Sequence, residues 1–103
     1  MELRQLKYFV KTAETLNFSE AARALFVTQS TLSQQIRQLE QEMETLLFVR
    51  DSHSVQLTES GERLLPLAKR TLMDAVTCMD TVNDLKKMLS GSLNIGITYT
   101  FAP

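Results

Sequence analysis

The chain has 103 residues, 44% hydrophobic and 22% charged, a balance that suits one small globular domain with an appendage and excludes a disordered segment. A single cysteine, Cys78, and a single histidine, His53, exclude a disulfide framework and a closed metal site. With 11 basic and 12 acidic residues the formal net charge is −1, so composition alone does not point to nucleic acid, whose partners are usually basic.

Charges at Glu2, Arg4, Lys7, Lys11 and Glu14 break up the apolar positions of the first 16 residues, which excludes a signal peptide. No apolar stretch is long enough to span a bilayer, and a cytoplasmic protein without membrane contact is expected. Leu3, Leu6, Phe9, Val10, Ala13 and Leu16 share one helical face and predict a first helix ending near Asn17. Ser19 is a candidate cap for a short second helix over Glu20 to Phe26, with Glu20 favoured in its first turn by the helix dipole. In it Ala21 and Ala22 allow close helix approach, and Leu25 and Phe26 are expected to add bulk to the core.

Thr28 is the next candidate cap, opening a third helix whose apolar stripe is Leu32, Ile36, Leu39 and Met43. Two helices joined by so short a turn predict a helix-turn-helix. The run Leu46 to Val49 ends at Arg50, a polar loop follows (Asp51, Ser52, His53, Ser54), and Val55, Gln56 and Leu57 then alternate, which predicts a small β-hairpin.

Thr58 could cap a fourth helix from Glu59 to about Leu89, stopped by Ser90 and Gly91, with Pro66 expected to bend it. Leu65, Ala68, Leu72, Ala75, Met79, Val82 and Leu89 form an apolar seam in which Lys86 is the single charged member. About thirty helical residues reach some 45 Å, further than a domain of about 60 residues covers, so the seam predicts a homodimer. Cys78 flanks this seam and is expected to be an inert, partly buried thiol rather than a redox sensor. Leu93, Ile95 and Ile97 alternate as in a strand that lacks a partner, so a further domain is expected to begin there.

On the third helix, Ser30, Ser33, Gln34, Arg37 and Gln41 fall opposite the apolar stripe, with Gln29 at the helix start. That face is almost free of acids, while Glu40, Glu42 and Glu44 lie in the last turns and are expected to point away from a ligand entering at the N-terminal end. Gln and Ser can exchange hydrogen bonds with base edges, and Arg can pair with guanine or phosphate, so the face suits a DNA major groove. A solvated polar surface is the ordinary alternative for such a face; the tight turn before it and the hairpin after it favour recognition. Arg50 reads as a structural residue paired with a nearby carboxylate, and His53 as a loop histidine that a wing would hold near DNA.

Phe9, Ala21, Ala22, Leu25, Gln29, Leu32, Ser33, Ile36, Leu39, Glu40, the stretch Leu47-Phe48-Val49-Arg50, Leu57-Thr58 and Gly61 resemble the N-terminal signature of LysR-type transcriptional regulators. The resemblance implies a mainly α fold: a winged helix-turn-helix over residues 1–58, a linker and dimerisation helix over 59–90, and the start of an effector-binding domain over 91–103. It implies base contacts from Gln29, Ser30, Ser33 and Gln34, and phosphate contacts from Thr28, Thr31 and Arg37, with His53 added on the wing. Dimerisation would rest on Leu65, Leu72, Ala75, Met79, Val82 and Leu89. The implied partners are double-stranded DNA, a second copy of the chain (a dimer, or a tetramer at full length), RNA polymerase, and a small-molecule effector held by the missing domain. No cofactor or metal is implied. The family often carries proline where Ser30 stands and arginine where Gln34 stands, so base preference does not carry over.

The rival reading is a winged-helix module that binds another protein, which would favour aromatics and an apolar patch on the third helix. An enzyme is not expected, because no nucleophile, base and oxyanion donors converge and no glycine-rich phosphate loop is present.

Overall fold

The computed structural model describes residues 1–92. The elements run α1 (Leu3–Thr15), α2 (Phe18–Leu25), α3 (Gln29–Met43), β1 (Phe48–Arg50), β2 (Val55–Leu57) and α4 (Glu59–Ser92). A mainly helical winged helix-turn-helix followed by a long helix is thus present as expected. The expected strand with Leu93, Ile95 and Ile97 lies outside the described residues.

The core takes one stripe from each of the first three helices: Leu6, Phe9 and Ala13 from α1, Phe18, Ala21 and Ala22 from α2, and Leu32, Ile36 and Leu39 from α3. Ala21 is fully buried, as the small side chain of a close helix crossing must be. Leu47 and Phe48 close the core from the hairpin side, where the Phe48 ring lies 5.5 Å from Phe9 and 5.7 Å from Phe18. Leu3 and Leu16, on the expected apolar face of α1, stay outside this core and are largely exposed.

Helix boundaries differ from expectation for one recurrent reason. Leu16, Phe26 and Glu44 end α1, α2 and α3 in the left-handed conformation, with φ of 50°, 59° and 54°. Such endings are usually signalled by glycine, which none of the three positions has. So α1 stops at Thr15, and Asn17 becomes the cap of α2, its side chain accepting from Glu20 N at 2.9 Å. Ser19, the expected cap, sits inside α2.

Phe26 is a plain correction. Expected in the core, it is 95% exposed, because the left-handed residue that ends α2 turns its side chain away from the helix packing. It combines a strained backbone with no burial, so Phe26→Asn should raise stability by roughly 0.5 to 1 kcal/mol. A thermal melt should show a midpoint about 3 to 6 °C higher. A midpoint that falls would mean the ring makes contacts that stabilise the fold.

Strands β1 and β2 pair antiparallel, with Phe48 opposite Leu57, Val49 opposite Gln56 and Arg50 opposite Val55. Thr58 then caps α4 as expected, its Oγ1 accepting from Gly61 N at 3.0 Å and donating to Leu46 O at 2.7 Å. Leu64, Leu65, Ala68 and Leu72, in the first turns of α4, pack against the core. The helix continues through Pro66, and it passes the expected stop at Ser90 and Gly91 to reach Ser92.

Residues Met1–Leu72 form one compact unit and those from Met73 onward a second. Within the second, Met73, Val76, Met79, Val82, Leu85 and Met88 are exposed. Cys78 is exposed as well, where a partly buried thiol was expected. No helix among the described residues is long and apolar enough to cross a membrane.

Candidate nucleic-acid interface

The outer face of α3 follows from its inner one. Burying Leu32, Ile36 and Leu39 turns Ser30, Gln34, Arg37 and Gln41 to solvent, with Ser33 half-buried at the margin. Thr28, Gln29 and Thr31 are exposed around the helix start. The sequence-expected residues of the third helix therefore come together on one surface, which is free of carboxylates until Glu40 and Glu44 line the groove at its C-terminal end.

Internal hydrogen bonds already commit some of these groups. Thr28 Oγ1 accepts from Thr31 N at 3.1 Å and donates to Thr31 Oγ1 at 2.9 Å, so its first duty is capping α3. The Ser19 hydroxyl donates to Gln29 Oε1 at 3.0 Å, tying α2 to the start of α3. That bond fixes the orientation of the Gln29 amide and leaves its NH₂ group to donate outward.

His53 is exposed in the hairpin loop, where it lines a groove that Gln29 also borders. The loop is organised by Asp51, whose Oδ1 accepts from His53 N and Ser54 N, each at 2.7 Å. These two backbone amides hold the Asp51 carboxyl below its ordinary pKa, so it carries a negative charge at the wing tip. His53 and a basic wing surface are not brought together.

Glu40, one of the late acids of the third helix expected to point away from DNA, has a structural duty. It is buried, and its Oε2 accepts from Leu47 N at 2.8 Å and Phe48 N at 3.2 Å. The carboxylate thereby fastens the entry of β1 to α3. Its position one residue after Leu39 and four after Ile36, on the edge of the apolar stripe, is the signal that could have revealed it.

The ion pair expected between Arg50 and a carboxylate is not present among the described residues; the Arg50 guanidinium lies over the Phe18 ring, 4.0 Å from the centroid. Partial burial lowers its pKa, the Glu40 charge opposes that, and the charge of Arg37 adds to the lowering. It remains a cation at any working pH.

Comparison with known proteins places these features in a wider set. Residues 3–62 match the family model described as bacterial regulatory helix-turn-helix protein, lysR family. The HTH-type transcriptional regulator EstR of Acinetobacter baylyi is 46% identical over 101 residues, covering 98% of this chain and 34% of that protein. The HTH-type transcriptional regulator IlvY of Escherichia coli is 43% identical over 102 residues, covering 99% of this chain and 34% of that protein. The crystal structure of the CbnR_DBD–DNA complex superposes with a TM-score of 0.80 at 35% identity, covering 84% of this chain and 99% of that one. The chain spans about a third of the length of the curated relatives it matches.

Proposed function

The chain belongs to the lysR family of bacterial regulatory helix-turn-helix proteins, and on that premise we propose that it binds double-stranded DNA sequence-specifically, as a homodimer, to regulate transcription. The observation that supports this reading best is the polar outer face of α3, with Ser30, Ser33, Gln34, Arg37 and Gln41 beside an outward-donating Gln29 and with acids only towards its C-terminal end. In the major groove, Gln29, Ser30, Ser33 and Gln34 meet base edges, and Thr28, Thr31 and Arg37 meet phosphates. With a formal net charge of −1, the affinity of one copy is modest, and two copies on a two-fold-related site multiply it.

The second copy docks along α4. Met79 and Val82 are exposed, and they form the seam together with Ala75 and Leu89. Leu65 and Leu72, expected in the same seam, are half-buried against the chain's own core and contribute less to it. His53 approaches the DNA backbone from the wing. In the full-length regulator a further domain binds a small-molecule effector and adjusts the spacing of the two α3 helices, changing contact with RNA polymerase in the cytoplasm. The proposed division is a DNA-binding domain over residues 1–58, a linker helix over 59–90 and the beginning of the effector domain over 91–103.

Selection from a random duplex library at two salt concentrations tests this reading, with a Gln29→Ala, Ser33→Ala double variant alongside. The wild-type chain should enrich a two-fold-related motif, more weakly at high salt. The variant should bind the selected site about 30-fold more weakly, since base-reading contacts are worth about 1 to 3 kcal/mol each. A folded dimer that retains no duplex at either salt concentration would refute DNA recognition.

A further inference from the structure

The outer face of α3 continues into a groove of about 700 Å³ whose walls are α3 and β1. Arg37 and Gln41 line it from the helix and Arg50 from the strand, with Leu46 and Phe48 among its other lining residues. Arg50 also lines a second, smaller groove that runs from the Asn17–Ser19 corner past Gln29 to the wing loop. It therefore stands on the ridge between the recognition face and the wing.

Two guanidinium groups, those of Arg37 and Arg50, share the larger groove with the carboxylates of Glu40 and Glu44. Among the described residues neither Arg37 nor Arg50 has a carboxylate within 4.0 Å. Of the two acids that also line the groove, Glu40 spends Oε2 on the Leu47 and Phe48 amides, and Glu44 is the exposed C-cap residue of α3. The Phe18 ring supports one face of the Arg50 guanidinium and leaves its edge donors to the groove. Burial lowers the Arg50 pKa most, Glu40 opposes that, and the like charge of Arg37 adds a smaller lowering, which an anion seated in the shared groove would relieve.

We infer that Arg37 and Arg50, on opposite walls of the groove between α3 and β1, form a two-guanidinium seat for one phosphodiester of the bound duplex. The inference rests on the DNA-binding reading and adds Arg50, which the sequence assigned to structure alone. Placed there, the seat grips the backbone strand that passes between the recognition helix and the wing. It fixes the depth and register of α3 in the groove, a service that the acidic Asp51 loop cannot perform.

The test is titration of the 103-residue protein, Arg50→Met, Arg37→Met and the double variant against a labelled random-sequence duplex over a series of salt concentrations. Arg50→Met should weaken binding roughly fivefold at physiological salt and flatten the slope of log affinity against log salt by about 0.9. The double variant should depart from the product of the two single effects, because both side chains hold one phosphate. Arg50→Lys, which keeps a charge above Phe18, should retain the wild-type slope with weaker binding, and it carries the test if Arg50→Met does not fold. An unchanged slope in folded Arg50→Met, strictly multiplicative effects, or Arg50→Lys losing the slope would each overturn the seat while leaving DNA binding intact. Wild-type protein that retains no duplex would overturn the DNA-binding reading and the seat with it.

Discussion

Glu40→Ala should lower the stability of the domain by about 4 kcal/mol, since a bond from an amide to a charged acceptor contributes about 1.5 to 3 kcal/mol and Glu40 makes two. The cost is high because nothing replaces the lost acceptor. Leu47 and Phe48 are buried, so their N–H groups would be left without partner or water. Arg50, partly desolvated, would also lose the Glu40 charge that favours its charged form. A thermal melt should fall by about 24 °C. Glu40→Gln keeps one acceptor oxygen and should lose less than half as much. A loss below about 1 kcal/mol in Glu40→Ala would show that the β1 entry is held by packing alone.

Gly61→Ala should be nearly as damaging, about 3 kcal/mol, at the upper end of the range for overpacking. A Cβ at this position would lie 2.3 Å from Leu47 O and 2.8 Å from Leu57 Cδ2. The leucine can rotate away. The carbonyl cannot, since it accepts from Thr58 N at 3.0 Å and belongs to the residue whose own N–H is held by Glu40. The start of α4 would have to move off the hairpin, and the Thr58 cap with it. Denaturant titration read by circular dichroism gives the loss directly; an unchanged midpoint would mean the hairpin and α4 do not hold this approach in solution.

Glu40 and Gly61 meet at Leu47 from opposite sides, one through its N–H and the other against its carbonyl. The wing is therefore positioned by two contacts between residues distant in sequence. That arrangement also sets the groove in which Arg37 and Arg50 face each other. Stability at Leu47 and DNA affinity should consequently fall together in Glu40→Ala, whereas Arg37→Met should affect affinity alone, its side chain being exposed.

Periodicity and capping chemistry by themselves determined which elements form and which way α3 faces. The stripe of Leu32, Ile36 and Leu39 has one buried side whatever packs on it, and so Ser30, Gln34, Arg37 and Gln41 have one exposed side. Thr28 and Thr58 were legible as caps because a hydroxyl at a helix start acts on amides two or three residues away. Only the tertiary structure decided the rest. Leu16, Phe26 and Glu44 end their helices in a left-handed turn that no glycine announces, because the packing of the next element, not local preference, imposes it. Phe26 is thrown out of the core by that turn, Glu40 is drawn into it by two amides from the hairpin, and Arg50 finds an aromatic ring instead of a carboxylate. Each of these depends on a partner brought near by the fold, and spacing along one helix carries no information about a partner on another element.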